Sequence, residues 1–228
     1  MSPVRARVVP QALNECWGLF CYNCKTMDRI KSAPFYFKSL LAILLLAAVL
    51  LLIKGHANSF LLLNSYHNSI ADFSFYYITY LGDGWFAVVL SVVLFAFPKT
   101  RKLAIVVFVA YAVSGLLAQL VKNLVEASRP SVYFTLEQYH KFVAGVDLAG
   151  AHSFPSGHTT TAFSLATVLA CYTQNKKVQI LYLVLAVAAG YSRIYLGQHF
   201  LTDVLVGALF GSLTAIAAVV IAEKKKSL

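Results

Sequence analysis

Six residues in three short segments carry most of the chemistry this chain offers. They are Lys122 and Arg129 in Lys122-x6-Arg129-Pro130, His158 in Pro155-Ser156-Gly157-His158, and Arg193, His199 and Asp203 in Ser192-Arg193-x5-His199-x3-Asp203. Three cations match the charge spread over a transferring phosphoryl group, and Arg grips its oxygens in bidentate fashion. Two histidines offer a nucleophile and a proton donor. If His199 and Asp203 share a helix, their spacing of four places them on one face with Cβ atoms about 5–6 Å apart. The carboxylate then holds one ring nitrogen and leaves the other free, the logic of a base and its orienter. The bland alternative is a buried His–Asp hydrogen bond that only stitches two helices together. With each residue type at about one in twenty, either of the last two segments arises by chance about once in a thousand chains of this length, and the ordered three essentially never.

Pro155-Ser156-Gly157-His158 reads as a helix start. Ser156 is the N-cap candidate, and Gly157 lets an anion approach the exposed backbone N–H groups. His158, in the first turn, could protonate a departing oxygen, its plainer role being capping. Snorkelling would explain a lone Lys122, but it explains three clustered cations poorly. Asp83, in Gly82-Asp83-Gly84-Trp85, is expected to make an interhelical hydrogen bond rather than line the site. His140 and His152 read as solvated or capping groups, and His56, His67 and Asp72 as outer-loop polar residues. Glu126 is expected to pair with Lys122. His158, His199 and Asp203 are too few and too surrounded by cations to attract a dication, so no metal and no cofactor is called for.

The elements that must position these residues follow from composition. The chain has 228 residues, of which 59% are hydrophobic and only 12% charged. That is wrong for a soluble domain and right for one dissolved in a bilayer. A net charge of +10 is not accompanied by a nucleic-acid motif or an aromatic-interleaved basic face, which argues against a nucleic-acid partner. Hydropathy gives six candidate spans near the ~20 residues a crossing helix needs: Phe35 to Ile53, Phe73 to Phe97, Leu103 to Val125, Ser156 to Cys171, Val178 to Tyr195 and Phe200 to Ala222. The expected fold is therefore all-α, a bundle of six transmembrane helices.

Lys and Arg sort onto one side of this layout: Arg5, Arg7, Lys25, Arg29, Lys31 and Lys38 before the first span, then Lys99, Arg101 and Lys102, Lys176 and Lys177, and Lys224 to Lys226. The other side keeps Lys54, Lys122, Arg129, Lys141 and Arg193. By the positive-inside rule both termini are cytoplasmic and the motif-bearing helix ends face outward. Cys16, Cys21 and Cys24 would then lie on the reduced side and Cys171 at a cytoplasmic helix end, so no disulfide framework is expected, and the irregular spacing of the first three argues against zinc. Residues 1–26 differ from the rest, and Met27-Asp28-Arg29-Ile30-Lys31 before an apolar run resembles a bacterial start. Residues 1–26 are accordingly expected to be a disordered tail or a wrongly assigned upstream start, with the functional domain at 27–228. The first span lacks a small-x-small cleavage site before Lys54 and is expected to stay as an anchor. The thirty residues from Glu126 to Pro155 are broken by Pro130, Gly145 and Gly150, and their aromatic members between Tyr133 and Phe142 suit a short amphipathic segment over the site. Tyr195 to Phe200 reads as a tight turn.

The three segments together resemble the signature of the type 2 phosphatidic acid phosphatase (PAP2) family, which also includes vanadium haloperoxidases, and match it at every signature position. The resemblance implies a metal-independent phosphatase with a helical core. His199 would attack phosphorus to form a phosphohistidine, Asp203 would orient it, and His158 would protonate the leaving group. Lys122, Arg129, Ser156, Gly157 and Arg193 would bind the phosphoryl oxygens. Similarity to six-span bacterial members implies a lipid phosphate substrate in the inner membrane, with the site at the periplasmic face. Undecaprenyl diphosphate is favoured, ahead of lipid A 1-phosphate, phosphatidylglycerol phosphate and phosphatidate. Transfer of the phosphate to an acceptor lipid and vanadate-based peroxide chemistry are alternatives on the same site. A transporter is the alternative of another class; it would place charges at several depths, whereas these cluster at one surface.

Overall fold

In hydrocarbon every backbone N–H and C=O must find its partner within the chain, so apolar segments of this length become helices. The computed structural model describes residues 16–17, 20–21, 26–139, 141–147 and 151–224. Apart from a two-residue antiparallel pairing of Cys16–Trp17 with Phe20–Cys21, the described chain is helical. The expectations for residues 1–15, Cys24, His140, Lys225 and Lys226 fall outside the described residues.

A short helix, α1 (Thr26–Lys31), precedes α2 (Pro34–Leu63), which is interrupted at Gly55, where φ is 74°. The second expected span is not one helix. It divides into α3 (Ser69–Ile78), a 3-10 turn (Thr79–Gly82) and α4 (Gly84–Ala96), with a bend of 58° between the two arms. The Gly82-Asp83-Gly84 sequence is the cause: two poor helix formers flank an Asp that caps α4 by accepting from the Trp85 N–H at 2.7 Å. There follow α5 (Arg101–Leu124), the single turn α6 (Pro130–Tyr133), α7 (Gly157–Cys171), α8 (Lys176–Tyr195) and α9 (Leu201–Lys224). Four described helices are long and apolar enough to cross a membrane, and the bent α3–α4 pair adds a fifth if its two arms count as one broken span rather than a re-entrant loop. The expected fourth span, α7, has only 15 residues, about 22 Å at 1.5 Å per residue.

The shortness of α7 and its many hydroxyls fit its position. It is packed between α5, α8 and α9 and buried on nearly all sides. Several of its hydroxyls find partners within the protein: Thr160 donates to the Ser156 carbonyl at 2.9 Å, and Thr167 lies 2.8 Å from the Tyr36 hydroxyl. Helices α7 and α9 approach closely along Gly207 and Gly211. A Cβ at Gly207 would lie 2.7 Å from the Ser156 carbonyl oxygen, and one at Gly211 would collide with the Thr160 carbonyl oxygen. This small-residue contact lets two backbones touch where lipid offers no hydrophobic force to drive them together. By contrast, α2 turns Leu45, Leu46, Leu52 and Ile53 outward.

The C-terminal end of α9 is clasped to its neighbours at the opposite pole from the motifs. Glu223 pairs with Arg29 at 3.0 Å and Lys102 at 2.8 Å and accepts from the Tyr172 hydroxyl at 2.9 Å, while the Arg29 guanidinium lies 4.1 Å from the Tyr172 ring centre. The motif-bearing pole is where α5 and α8 end and where α7 and α9 begin.

Candidate active site

The turn from α8 into α9 sets the first half of the site. Gly197, at φ 68°, turns the chain, and a Cβ there would lie 2.9 Å from the Tyr139 hydroxyl. The Arg193 carbonyl accepts from the N–H groups of Gln198 and His199 at 3.0 and 3.1 Å, so helix end and turn are one unit. His199 precedes α9, as it precedes the sixth expected span, so the condition for a same-face helical pair is not met. Asp203 instead reaches back over the helix start, accepting from the Phe200 N–H at 2.9 Å, which is one half of a capping box. The same oxygen lies 3.4 Å from His199 Nδ1. Both side chains are buried.

A third residue, which sequence reasoning missed, completes this pair. The Ser153 hydroxyl donates to Asp203 Oδ2 at 2.5 Å and stands 3.3 Å from His199 Nδ1. Its own N–H is held by the Ala127 carbonyl at 2.9 Å, which ties the long loop to the site. A serine two residues before a proline is too common a loop pattern to signal this. Burial holds the His199 imidazole below its ordinary value of 6.5; the bond to Asp203 opposes that shift, and the charges of Arg193 and Arg129 add to it.

The start of α7 forms the second half. Ser156 donates its N–H to the Asp203 carbonyl at 3.0 Å, locking α7 to α9, and its hydroxyl accepts from the N–H of Thr159 at 3.4 Å and its Oγ1 at 2.8 Å. The expected N-cap is present, and accepting twice leaves the Ser156 hydroxyl hydrogen as a donor. A Cβ at Gly157 would sit 3.8 Å from Lys122 Nζ, which places the lysine beside the helix start. His158 is half-buried, and its Nε2 lies 3.7 Å from Asp83 Oδ2.

The cations are fixed from three directions. Arg129 donates to the Gln198 side-chain oxygen at 2.8 Å, the Gln198 carbonyl at 3.3 Å and the Ala151 carbonyl at 3.2 Å. Arg193 donates through Nη1 to Thr79 Oγ1 at 2.7 Å, and its buried Nε has no hydrogen-bond partner among the described residues. Gln198 and Thr79 are further residues that the motifs do not reveal. His152 caps the end of α5, its Nδ1 lying 3.1 Å from the Lys122 carbonyl. Glu126 makes no ion pair with Lys122 among the described residues, because α5 ends at Leu124, before it. His56 is not in a loop: it sits on α2 beside the Gly55 break, 3.1 Å from Thr202 Oγ1.

The fold and these segments define a family. The PAP2 superfamily model matches residues 103–227, from α5 to the end of α9, and the chain belongs to that superfamily and is a phosphatase. It is 29% identical over 186 residues to an undecaprenyl-diphosphatase of Sulfolobus acidocaldarius, covering 78% of this chain and 86% of that one. It is 31% identical to a lipid A 4'-phosphatase of Porphyromonas gingivalis, covering 70% of each. It is 35% identical to a Bacillus licheniformis protein named bacitracin transport permease, matching 52% of this chain and spanning only 55% of that one. Among solved structures, a transmembrane PAP2-type phosphatidylglycerolphosphate phosphatase of Bacillus subtilis superposes with a TM-score of 0.59 at 26% identity, over 83% of this chain and 94% of that one.

Proposed function

We propose that the protein hydrolyses a lipid phosphate or diphosphate, undecaprenyl diphosphate first among the candidates, at the outer face of a bacterial inner membrane. The observation that carries this reading is the gathering of Lys122, Arg129 and Arg193 around two histidines, with a buried Arg193 donor that a phosphoryl oxygen would satisfy. The substrate preference rests on the longer of the matches to named relatives.

In the proposed reaction the phosphoryl oxygens are held by Lys122, Arg129 and Arg193, the Ser156 hydroxyl and the backbone at Gly157. His199 keeps its Nδ1 toward Asp203 and Ser153 and presents the Nε2 lone pair to phosphorus. A nitrogen–phosphorus bond forms as the bond to the lipid oxygen breaks, and His158 gives that oxygen a proton. Water then attacks phosphorus, passing its proton to His158 and returning the bonding pair to His199. Both carboxylate and hydroxyl act by fixing the His199 ring, so that no geometry has to be found during the reaction. No metal enters this scheme.

The decisive experiment offers purified protein a panel of undecaprenyl diphosphate, phosphatidylglycerol phosphate, phosphatidate and lipid A, with free phosphate as readout. Release is expected from at least one of the four, most rapidly from undecaprenyl diphosphate. His199→Ala is expected to abolish release while the protein still elutes as folded material. Retention of more than a small fraction of the activity would remove His199 as nucleophile, and phosphate appearing on a second lipid rather than in solution would make the enzyme a transferase.

A further inference from the structure

The break in the α3–α4 pair enters the site, and none of the three signature segments includes it. Thr79 holds Arg193, Gly82 lies so close to the His158 backbone that a Cβ would collide with its carbonyl oxygen, and Asp83 stands 3.7 Å from His158 Nε2. We propose that Asp83 is the positioning residue for His158, holding its ring and its proton ready for the leaving oxygen as Asp203 holds His199. This rests on the phosphatase mechanism above, in which His158 is the proton donor.

The charges around His158 make such a partner necessary. Lys122 on α5, Arg129 ahead of α6, Arg193 on α8 and His199 in the turn before α9 all face it with positive or potentially positive charge. These repel the imidazolium, the form that has a proton to give. The Asp203 carboxylate is committed to His199, Ser153 and the Phe200 N–H. Asp83 is therefore the carboxylate at ion-pair distance from His158 among the described residues. With its charge on the Nε2 side, Asp83 offsets part of that repulsion, so that the ring can carry a second proton once the anionic substrate is bound and release it to the lipid oxygen as the phosphorus–oxygen bond breaks. The neutral ring that results keeps its remaining N–H directed at the carboxylate, until the proton from the attacking water restores it.

Asp83→Asn isolates this role, since Asn caps a helix as well as Asp and keeps the bond to the Trp85 N–H. Two chain-bearing substrates separate proton donation from everything else: an alkyl phosphate, whose alkoxide needs a proton, and a nitrophenyl phosphate, whose leaving group does not. We expect Asp83→Asn to lower kcat/KM, which reports the step that expels the leaving group, by roughly tenfold or more on the alkyl phosphate while changing that of the nitrophenyl phosphate by less than about threefold. His158→Asn should show the same split, and the double variant should be no worse than His158→Asn alone. Equal losses on both substrates, or no loss on either, would overturn the proposal. A readout independent of turnover is the nuclear magnetic resonance titration of His158, assigned by its loss in His158→Asn. The midpoint should move to lower pH in Asp83→Asn, and an unmoved midpoint would overturn the assignment even if the protein released no phosphate at all. An inactive wild-type protein would count against the phosphatase mechanism and leave this titration to decide the role of Asp83.

Discussion

Ser153 shows how much the geometry of the proposed His199–Asp203 pair depends on a residue outside the motif. Its 2.5 Å bond to Asp203 is a charge-assisted one in a dry setting. Hydrogen bonds to charged groups contribute about 1.5–3 kcal/mol, so Ser153→Ala is expected to lower kcat by about ten- to a hundredfold, measured on whichever lipid the panel selects. The pH dependence follows from His199 in the same way. Its imidazole is held below 6.5, mainly by burial. The neutral, nucleophilic form therefore persists as pH falls through 6.5, and the acid limb of kcat/KM should lie below that value. A limb at or above 6.5 would contradict the burial. The sequence made His199, Asp203, His158 and the three cations legible because their types and spacings are improbable together. Ser153, Gln198 and Thr79 were not legible, since a serine, a glutamine and a threonine near loops and helix ends carry no such improbability. Asp83 lay between these cases: an acid within an apolar run is itself a signal, but its partner across the bundle cannot be read from its neighbours in the chain.

At the scale of elements, what aligns the two halves of the site is the contact of α7 with α9. The Ser156 N–H bonds the Asp203 carbonyl, and Gly207 and Gly211 allow the backbones to meet just below. Gly211→Ala puts a methyl group against the Thr160 carbonyl in a contact that cannot yield without moving a helix. Overpacking of this kind costs about 1–3 kcal/mol, and activity is expected to fall as Tm falls, because the displaced helix carries Asp203. Gly115→Ala, inside α5 with open space around the added Cβ, is the matched control: it should leave activity unchanged and should not lower Tm, since Ala favours the helix over Gly. The boundaries of α5, α7, α8 and α9 agree with hydropathy to within a few residues, since long apolar runs leave little choice of secondary structure. The divided second span does not: the glycines around Asp83 announce a weak point, but only packing against α7 and α8 turns that weak point into a wall of the site.

For the whole molecule, the separation of two poles is the main feature. One pole gathers Lys122, Arg129, His158, Arg193, His199 and Asp203; the other is clasped by Arg29, Lys102, Tyr172 and Glu223. The lysine and arginine asymmetry predicts that the first pole faces outward. Single cysteines introduced at Ser131 and at Lys177, in a variant with the native cysteines replaced, test this in intact cells. A membrane-impermeant maleimide should label the first and spare the second, and the reverse pattern would invert the orientation.

The sequence by itself determined the phosphatase family, the helical class and the pole at which the signature residues sit, because residue type, apolar length and charge bias are local or additive properties that need no knowledge of contacts. The tertiary structure decided which side chains surround the reacting histidines. It folded Asp203 back over the start of α9 toward His199, brought Ser153 from the long loop to join them, and set Asp83 from a broken span beside His158. The last two are contacts between residues far apart in the chain, fixed by how closely α7, α9 and the Thr79–Gly82 turn can approach. That approach depends on the absence of side chains at Gly82, Gly207 and Gly211, whose meaning appears only when the opposing backbone is in place.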